Sequence, residues 1–188
     1  MAQRPTLQTA RLTLRPFVPD DAPAVTRLAG DREIASTTIL IPNPYTEQDA
    51  REWLQTHKVA FDSGHSLDLA VCSRASGELL GAIGLVFQPA HDRAEMGYWI
   101  GRPHWGNGYA TEAGVAMVAY AFSVLRYNRV SAYHFTRNPA SGRVLQKVGL
   151  RPEGLWRNHI KKWGVYEDCA VYGILRAEWE SQQQAAPP

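Results

Sequence analysis

The chain has 188 residues, is 45% hydrophobic and 20% charged, and carries a formal net charge of +2. That size suits one domain with a sizeable core, so a single domain over 1–188 is expected, with 1–6 and 182–188 as flexible ends. The near-balanced charge argues against a general attraction to nucleic acid or membrane surfaces, and no apolar run reaches the length of a membrane span. The start, Met1-Ala2-Gln3-Arg4-Pro5, lacks the apolar core of a secretory signal. Cys72 and Cys169 sit singly in apolar runs, which fits buried thiols and a reducing cytoplasm. His57, His65, His91, His104 and His159 show no ligand spacing with cysteines or acids, so no metal is expected.

Leu7 to Phe17 reads as a strand, with Leu12 and Leu14 alternating with Arg11, Thr13 and Arg15. Pro19-Asp20-Asp21-Ala22-Pro23 signals a helix start, and the helix should run to about Ala29, with a further turn over 31–34. Leu40 to Tyr45 contains two prolines and reads as a loop. Thr46-Glu47-Gln48-Asp49 has the form of a capping box before a helix through Phe61 that places Trp53, Leu54, His57 and Phe61 near one face. Leu67 to Cys72 and Glu78 to Gln88 form a predicted hairpin, followed by a turn over 89–93 and a strand from Ala94 to Gly101. A helix over about 108–125 should turn Val115, Val118, Ala119 and Phe122 inward. Arg129 to Thr136 reads as a strand and Asn138 to Val148 as a helix with Val144, Leu145 and Val148 inward. A closing hairpin is predicted over 151–175, turning at Lys162-Trp163-Gly164-Val165, and a short helix over 177–184.

The segment Gly97 to Ala113 is the most informative stretch. Tyr98, Trp99 and Ile100 suit a half-buried strand, Pro103 ends its ladder, and Gly106 and Gly108 permit positive φ or a close backbone approach. A strand, a glycine loop and a helix start together form an anion site, because unpaired N–H groups and the positive end of the helix dipole converge there. An ordinary strand-to-helix turn would need the same glycines. The nucleotide P-loop is excluded, since no Lys-Ser or Lys-Thr follows the second glycine, and the third glycine and acid of the dinucleotide fingerprint are missing.

Three stretches carry a resemblance. Gly97-Tyr98-Trp99-Ile100-Gly101, a short spacer, then Trp105-Gly106-Asn107-Gly108-Tyr109-Ala110-Thr111-Glu112-Ala113 is similar to the acetyl-CoA pyrophosphate loop of the GNAT acetyltransferases. Trp105 departs from the general Gln or Arg of that superfamily but agrees with the branch that includes the ribosomal-protein N-terminal (Rim-type) enzymes. Asn138 to Leu150 resembles the branch's Asn-x-x-Ser-x-x-x-Leu-x-Lys-x-Gly-hydrophobic motif, and Thr9 to Arg15 its opening strand.

The resemblance covers Leu7 to about Trp179. It implies an α/β (α+β) GNAT fold, with a mixed, mostly antiparallel central sheet of about six to seven strands. The sheet would be flanked by helices and splayed between its fourth and fifth strands, here the strands at Ala94 and Arg129. It implies acetyl-CoA as cofactor, transferred by direct attack of a primary amine in a ternary complex. The amine is a protein N-terminus or a small molecule. The alternative is a non-catalytic acyl-CoA-binding module of the same fold.

In the family the pantetheine arm lies along the strand of Tyr98, Trp99 and Ile100, and the diphosphate on Trp105, Gly106, Asn107, Gly108, Tyr109, Ala110 and Thr111. Asn138 would bind the amide chain and Ser141 reach the sulfur, while Lys147 would meet phosphate or solvent. The general base is assigned first to Glu95, against an ion pair with Arg93, and second to His134, against a core histidine. Tyr45, Trp53, His134 and Asp168, with Ile39 and Leu40, are acceptor-side candidates, against a core role for Trp53. The protein is expected to be a monomer or homodimer.

Overall fold

The computed structural model describes residues 3–185. In chain order the elements are β1 (Leu7–Gln8), β2 (Leu12–Pro16), α1 (Ala22–Ala29), α2 (Arg32–Thr37), α3 (Glu47–Asp62), β3 (Ser66–Ser73), β4 (Leu79–Gln88), β5 (Arg93–Ile100), α4 (Tyr109–Ser123), β6 (Arg129–Phe135), α5 (Pro139–Val148), β7 (Arg151–Lys162), β8 (Val165–Leu175) and α6 (Arg176–Ala185). The expected end segment 182–188 lies partly in the last turn of α6, while residues 1–2 and 186–188 fall outside the described residues. Among the described residues no helix is long and apolar enough to cross a membrane.

The strands form one sheet of eight in the order β1-β2-β3-β4-β5-β6-β8-β7. The count exceeds six to seven because the first predicted strand breaks. Leu12 N–H donates to the Thr9 hydroxyl (2.9 Å), and this turn folds Leu7 back opposite Leu14. All pairings are antiparallel except β5 with β6. That parallel pairing covers only Arg93–Glu95 against Arg129–Ser131. Beyond Glu95 the two strands separate, and the sheet opens as the resemblance implied.

Alternation along the strands sends one set of side chains to each face. Leu67, Leu69, Leu85, Ala94, Met96 and Val130 pack under α4 and α5, with Met117, Phe122 and Leu145. Ala70, Cys72 and Ala82 face the other way, under α1 and α3, with Phe17, Val25, Leu28 and Ala50. Cys72 and Cys169 are both buried free thiols.

Local signals in the sequence formed as read. Thr46 and Asp49 make the reciprocal capping box of α3, and Asn138, Pro139 and Gly149 (φ 106°) bound α5. One expectation fails: Val115 is 45% exposed. The buried stripe of α4 runs through Ala113, Gly114, Met117, Val118, Ala121 and Phe122. The helix is apolar over most of its circumference, so periodicity alone does not select its inner face. The selection comes from α5: a Cβ on Gly114 would stand 2.6 Å from Val148 Cγ2.

Candidate active site

The splay opens a continuous cleft of about 1040 Å³ across the sheet. Gly101 N–H donates to Leu80 C=O (2.8 Å), which sets the phase of the β4–β5 ladder. In an antiparallel ladder that phase turns the N–H and C=O of Tyr98, and the N–H of Ile100, away from β4 toward the opening. No strand covers them there, because the β6 pairing ends at Glu95. The Ile100 carbonyl is taken by the Trp105 indole N–H, which latches the following loop to the strand end.

The loop then turns through Gly106 and Gly108, both at φ 78°. Gly108 caps α4 without any side-chain bond. The backbone N–H groups from Gly106 through Thr111 donate to no acceptor among the described residues. This run of free N–H groups at the start of a fifteen-residue helix is the geometry that receives a diphosphate. The loop is braced from behind: Arg11 donates to the Asn107 carbonyl (3.0 Å), and Glu112 accepts from Thr9, Arg11 N and Arg11 Nε. Burial works against ionisation of Glu112, but these bonds hold its carboxyl below the usual range. The Asn107 side chain donates back to the carbonyls of His104 and Trp105, its own carbonyl is turned to Arg11, and the residue is not among those lining the cleft.

Tyr98 and Ser141 meet across the opening. The phenol and the serine hydroxyl are 2.7 Å apart, and Tyr98 also donates to the Ser141 carbonyl (3.1 Å). Burial pushes the Tyr98 phenol up to about 12, against the lowering effect of Ser141. Asn138 caps the same turn, accepting weakly from Ser141 N at 3.4 Å. Arg143 and Lys147 continue along α5 at the cleft edge. His134 lies beneath α5: its Nδ1 meets the Phe135 carbonyl (2.8 Å), and its buried Nε2 has no partner among the described residues.

The opposite face holds Glu95, Gly97 and Trp99. Burial pushes the Glu95 carboxyl up, partly offset by Arg93 and His159. Arg93 itself turns to Gln88 (2.8 Å), and the Arg93–Glu95 ion pair weighed as the alternative role of Glu95 does not form. A Cβ on Gly97 would meet nothing within 4 Å, so the floor beside Glu95 is open. Tyr45, Trp53, Ile39 and Leu40 line this side, and Trp53 also packs edge-on against Phe17. Both readings of Trp53 therefore describe one residue at the border of core and cleft.

Asp168 is not in the cleft. Its carboxylate accepts from Asn158 N–H (2.7 Å) inside a bulge of β7, where Asn158 is left-handed at φ 51°. That bulge carries Trp156 and His159, whose rings lie 4.5 Å apart at a 45° tilt and pack against Tyr133, which does line the cleft. Sequence reasoning missed Tyr133 and Asp68 at the cleft and the Thr9–Arg11–Glu112 brace behind the loop. Their partners are separated by tens of residues, and no local pattern joins them.

The profile of the acetyltransferase (GNAT) domain matches residues 11–151. The Bacillus subtilis (strain 168) protein named uncharacterized N-acetyltransferase YoaA is 34% identical over 173 residues, covering 92% of this chain and 97% of its own. A GNAT-family acetyltransferase from Bacillus anthracis is 25% identical with a TM-score of 0.82, covering 92% of this chain and 99% of its own. RimL, a ribosomal L7/L12 alpha-N-protein acetyltransferase solved with coenzyme A, shares the fold at 17% identity and a TM-score of 0.82, covering 91% of this chain and 98% of its own. With the splayed strands and the free N–H loop already in place, the match over most of the chain makes this protein a member of the GNAT family of N-acetyltransferases, and so an acyltransferase.

Proposed function

We propose that the chain transfers the acetyl group of acetyl-CoA to a primary amine by direct attack within a ternary complex. The observation that carries this reading is the opening between β5 and β6, which exposes Glu95 on one face and the Tyr98–Ser141 pair on the other. The residues present fit the coenzyme. Free N–H groups from Gly106 to Thr111 would hold its diphosphate, and the open edge at Tyr98 and Ile100 would pair with its amide arm. Bound there, acetyl-CoA would supply an activated acyl carbon as a thioester.

The chain's own groups then manage two protons. Glu95 takes one from the acceptor ammonium, which is otherwise charged near neutral pH. Its raised affinity for protons makes it a better base than an exposed carboxylate. Ser141, oriented by Tyr98, gives a proton to the departing sulfur as the new C–N bond replaces the C–S bond, and the second proton shed by the acylated nitrogen restores the serine hydroxyl. A covalent acyl-enzyme is disfavoured, because Cys72 and Cys169 are buried outside the cleft and Ser141 is bonded to a phenol rather than to an imidazole base.

The test is release of free thiol from acetyl-CoA with a panel of small amines and N-terminal peptides. Glu95→Gln should lower kcat/KM by about a hundredfold or more while coenzyme affinity is retained. Equal turnover by the variant and the parent across pH would remove Glu95 from the mechanism. Coenzyme binding with no turnover on any acceptor would favour the non-catalytic module.

A further inference from the structure

The charges lining the cleft are segregated. On the donor side, Arg143 and Lys147 are the arginine and lysine of the lining, both on α5. The acceptor side presents the carboxylates of Asp49, Glu52, Asp68 and Glu95 and no lysine or arginine. Two of the four are already engaged at the rim: Asp49 closes the α3 capping box, and Glu52 accepts from Gln48. The two on the floor, Asp68 and Glu95, are different.

Asp68 pairs across the sheet with Gly84, and Gly84 with Gly97, so all three point to one face. Asp68 Oδ2 accepts from the Ser66 hydroxyl (2.9 Å). Oδ1 accepts nothing among the described residues and lies over Gly84, 2.5 Å from where a Cβ would be. Gly97, next in the row, leaves open space above it, and Glu95 stands two residues along β5. A floor without side chains therefore runs from the free oxygen of Asp68 to Glu95. Strand spacing and rise place the two Cα atoms about 12 Å apart, a separation that the two side chains and a short aliphatic diamine between them can span. His57 does not neutralise Asp68 as imidazolium, since burial pushes it down despite the pull of the Asp68 charge.

We infer that the acceptor is a small amine carrying a second cationic group, and that Asp68 is the specificity-determining residue that seats this second group while the reacting amine lies at Glu95. The inference rests on the proposed reading of this face as the acceptor side. A carboxylate with a free oxygen favours a dication over its monoamine analogue because only the dication satisfies it. The step itself is unchanged: one nitrogen is acetylated, and the other remains an ammonium paired with Asp68.

The experiment compares 1,4-diaminobutane with n-butylamine, matched in length, by thiol release from acetyl-CoA. The parent should prefer the diamine by about tenfold or more in kcat/KM, expressed in KM, and Asp68→Asn should reduce that preference at least tenfold. Coenzyme titration by calorimetry confirms that the variant is folded. No preference in the parent overturns the inference whatever the variant does. So does a preference that survives Asp68→Asn, or better use of N-terminal peptides than of the diamine. If no amine is turned over, the acetyltransfer reading has failed on its own. The inference is then decided by calorimetry of 1,4-diaminobutane against the coenzyme-bound protein, where equal affinity in parent and variant overturns it.

Discussion

Gly106→Ala separates the backbone shape of the loop from its ability to bind. Gly106 sits at φ 78°, and an added Cβ would meet nothing within 4 Å. The substitution therefore brings no clash, only the cost of a left-handed conformation, about 1–2 kcal/mol for an L-residue. Gly108 is a less clean probe, since its Cβ would lie 3.6 Å from Arg11 Nη2. The loop has two responses. If it keeps its shape, the strain appears as lost stability, a fall in Tm of roughly 2–8 °C for a domain of this size, with coenzyme affinity unchanged. If it relaxes, Tm is preserved but one or more N–H groups lose their aim. A hydrogen bond to a charged group contributes about 1.5–3 kcal/mol, so the Kd for coenzyme A rises about tenfold to a hundredfold. Scanning calorimetry and titration with coenzyme A measure the two losses on the same sample. A variant with parental Tm and parental Kd would refute the assignment of this loop as a diphosphate cradle that depends on positive φ.

The other predictions concern the two faces of the cleft. Glu95→Gln should stabilise the protein near neutral pH while lowering its activity. A carboxyl raised in the folded state loses stability as pH climbs from the ordinary carboxylate value through the raised one, so the variant and the parent should converge in acid and part toward neutrality, measured as Tm against pH. Tyr98→Phe should cost less turnover than Ser141→Ala, and the double variant should be no worse than Ser141→Ala, because the phenol acts through the serine hydroxyl; the reverse order would exchange their roles. Asp168→Ala should destabilise by about 1 kcal/mol and raise the acceptor KM without changing coenzyme affinity, since it frees the β7 bulge that carries Trp156 and His159.

Much of the donor side was legible because its signals are local. Glycines with positive φ, a strand that ends at proline, a helix start and an Asn-Pro cap each follow from a few neighbouring residues. The acceptor side was not, because it is assembled from the faces of distant strands. Asp68, Gly84 and Gly97 share a row only through the registers of β3, β4 and β5. Asp168 was placed near the site by the resemblance, which has an Asp at this place in the last hairpin. The bulge in β7 turns its carboxylate to Asn158 instead, and a bulge shifts register in a way that alternation does not announce.

By itself, then, the sequence determined most of the elements, their caps and the glycine loop that opens α4, since these depend on backbone preference and short spacing. Only the tertiary structure decided where β5 leaves β6, which face of α4 is buried, and what braces the loop from behind. Arg11 and Glu112 are 101 positions apart, and their contact at 2.7 Å exists because β2 and α4 pack on the same sheet. The free oxygen of Asp68 was decided in the same way: a carboxylate in a strand has no stated role until the sheet places an open glycine floor beside it.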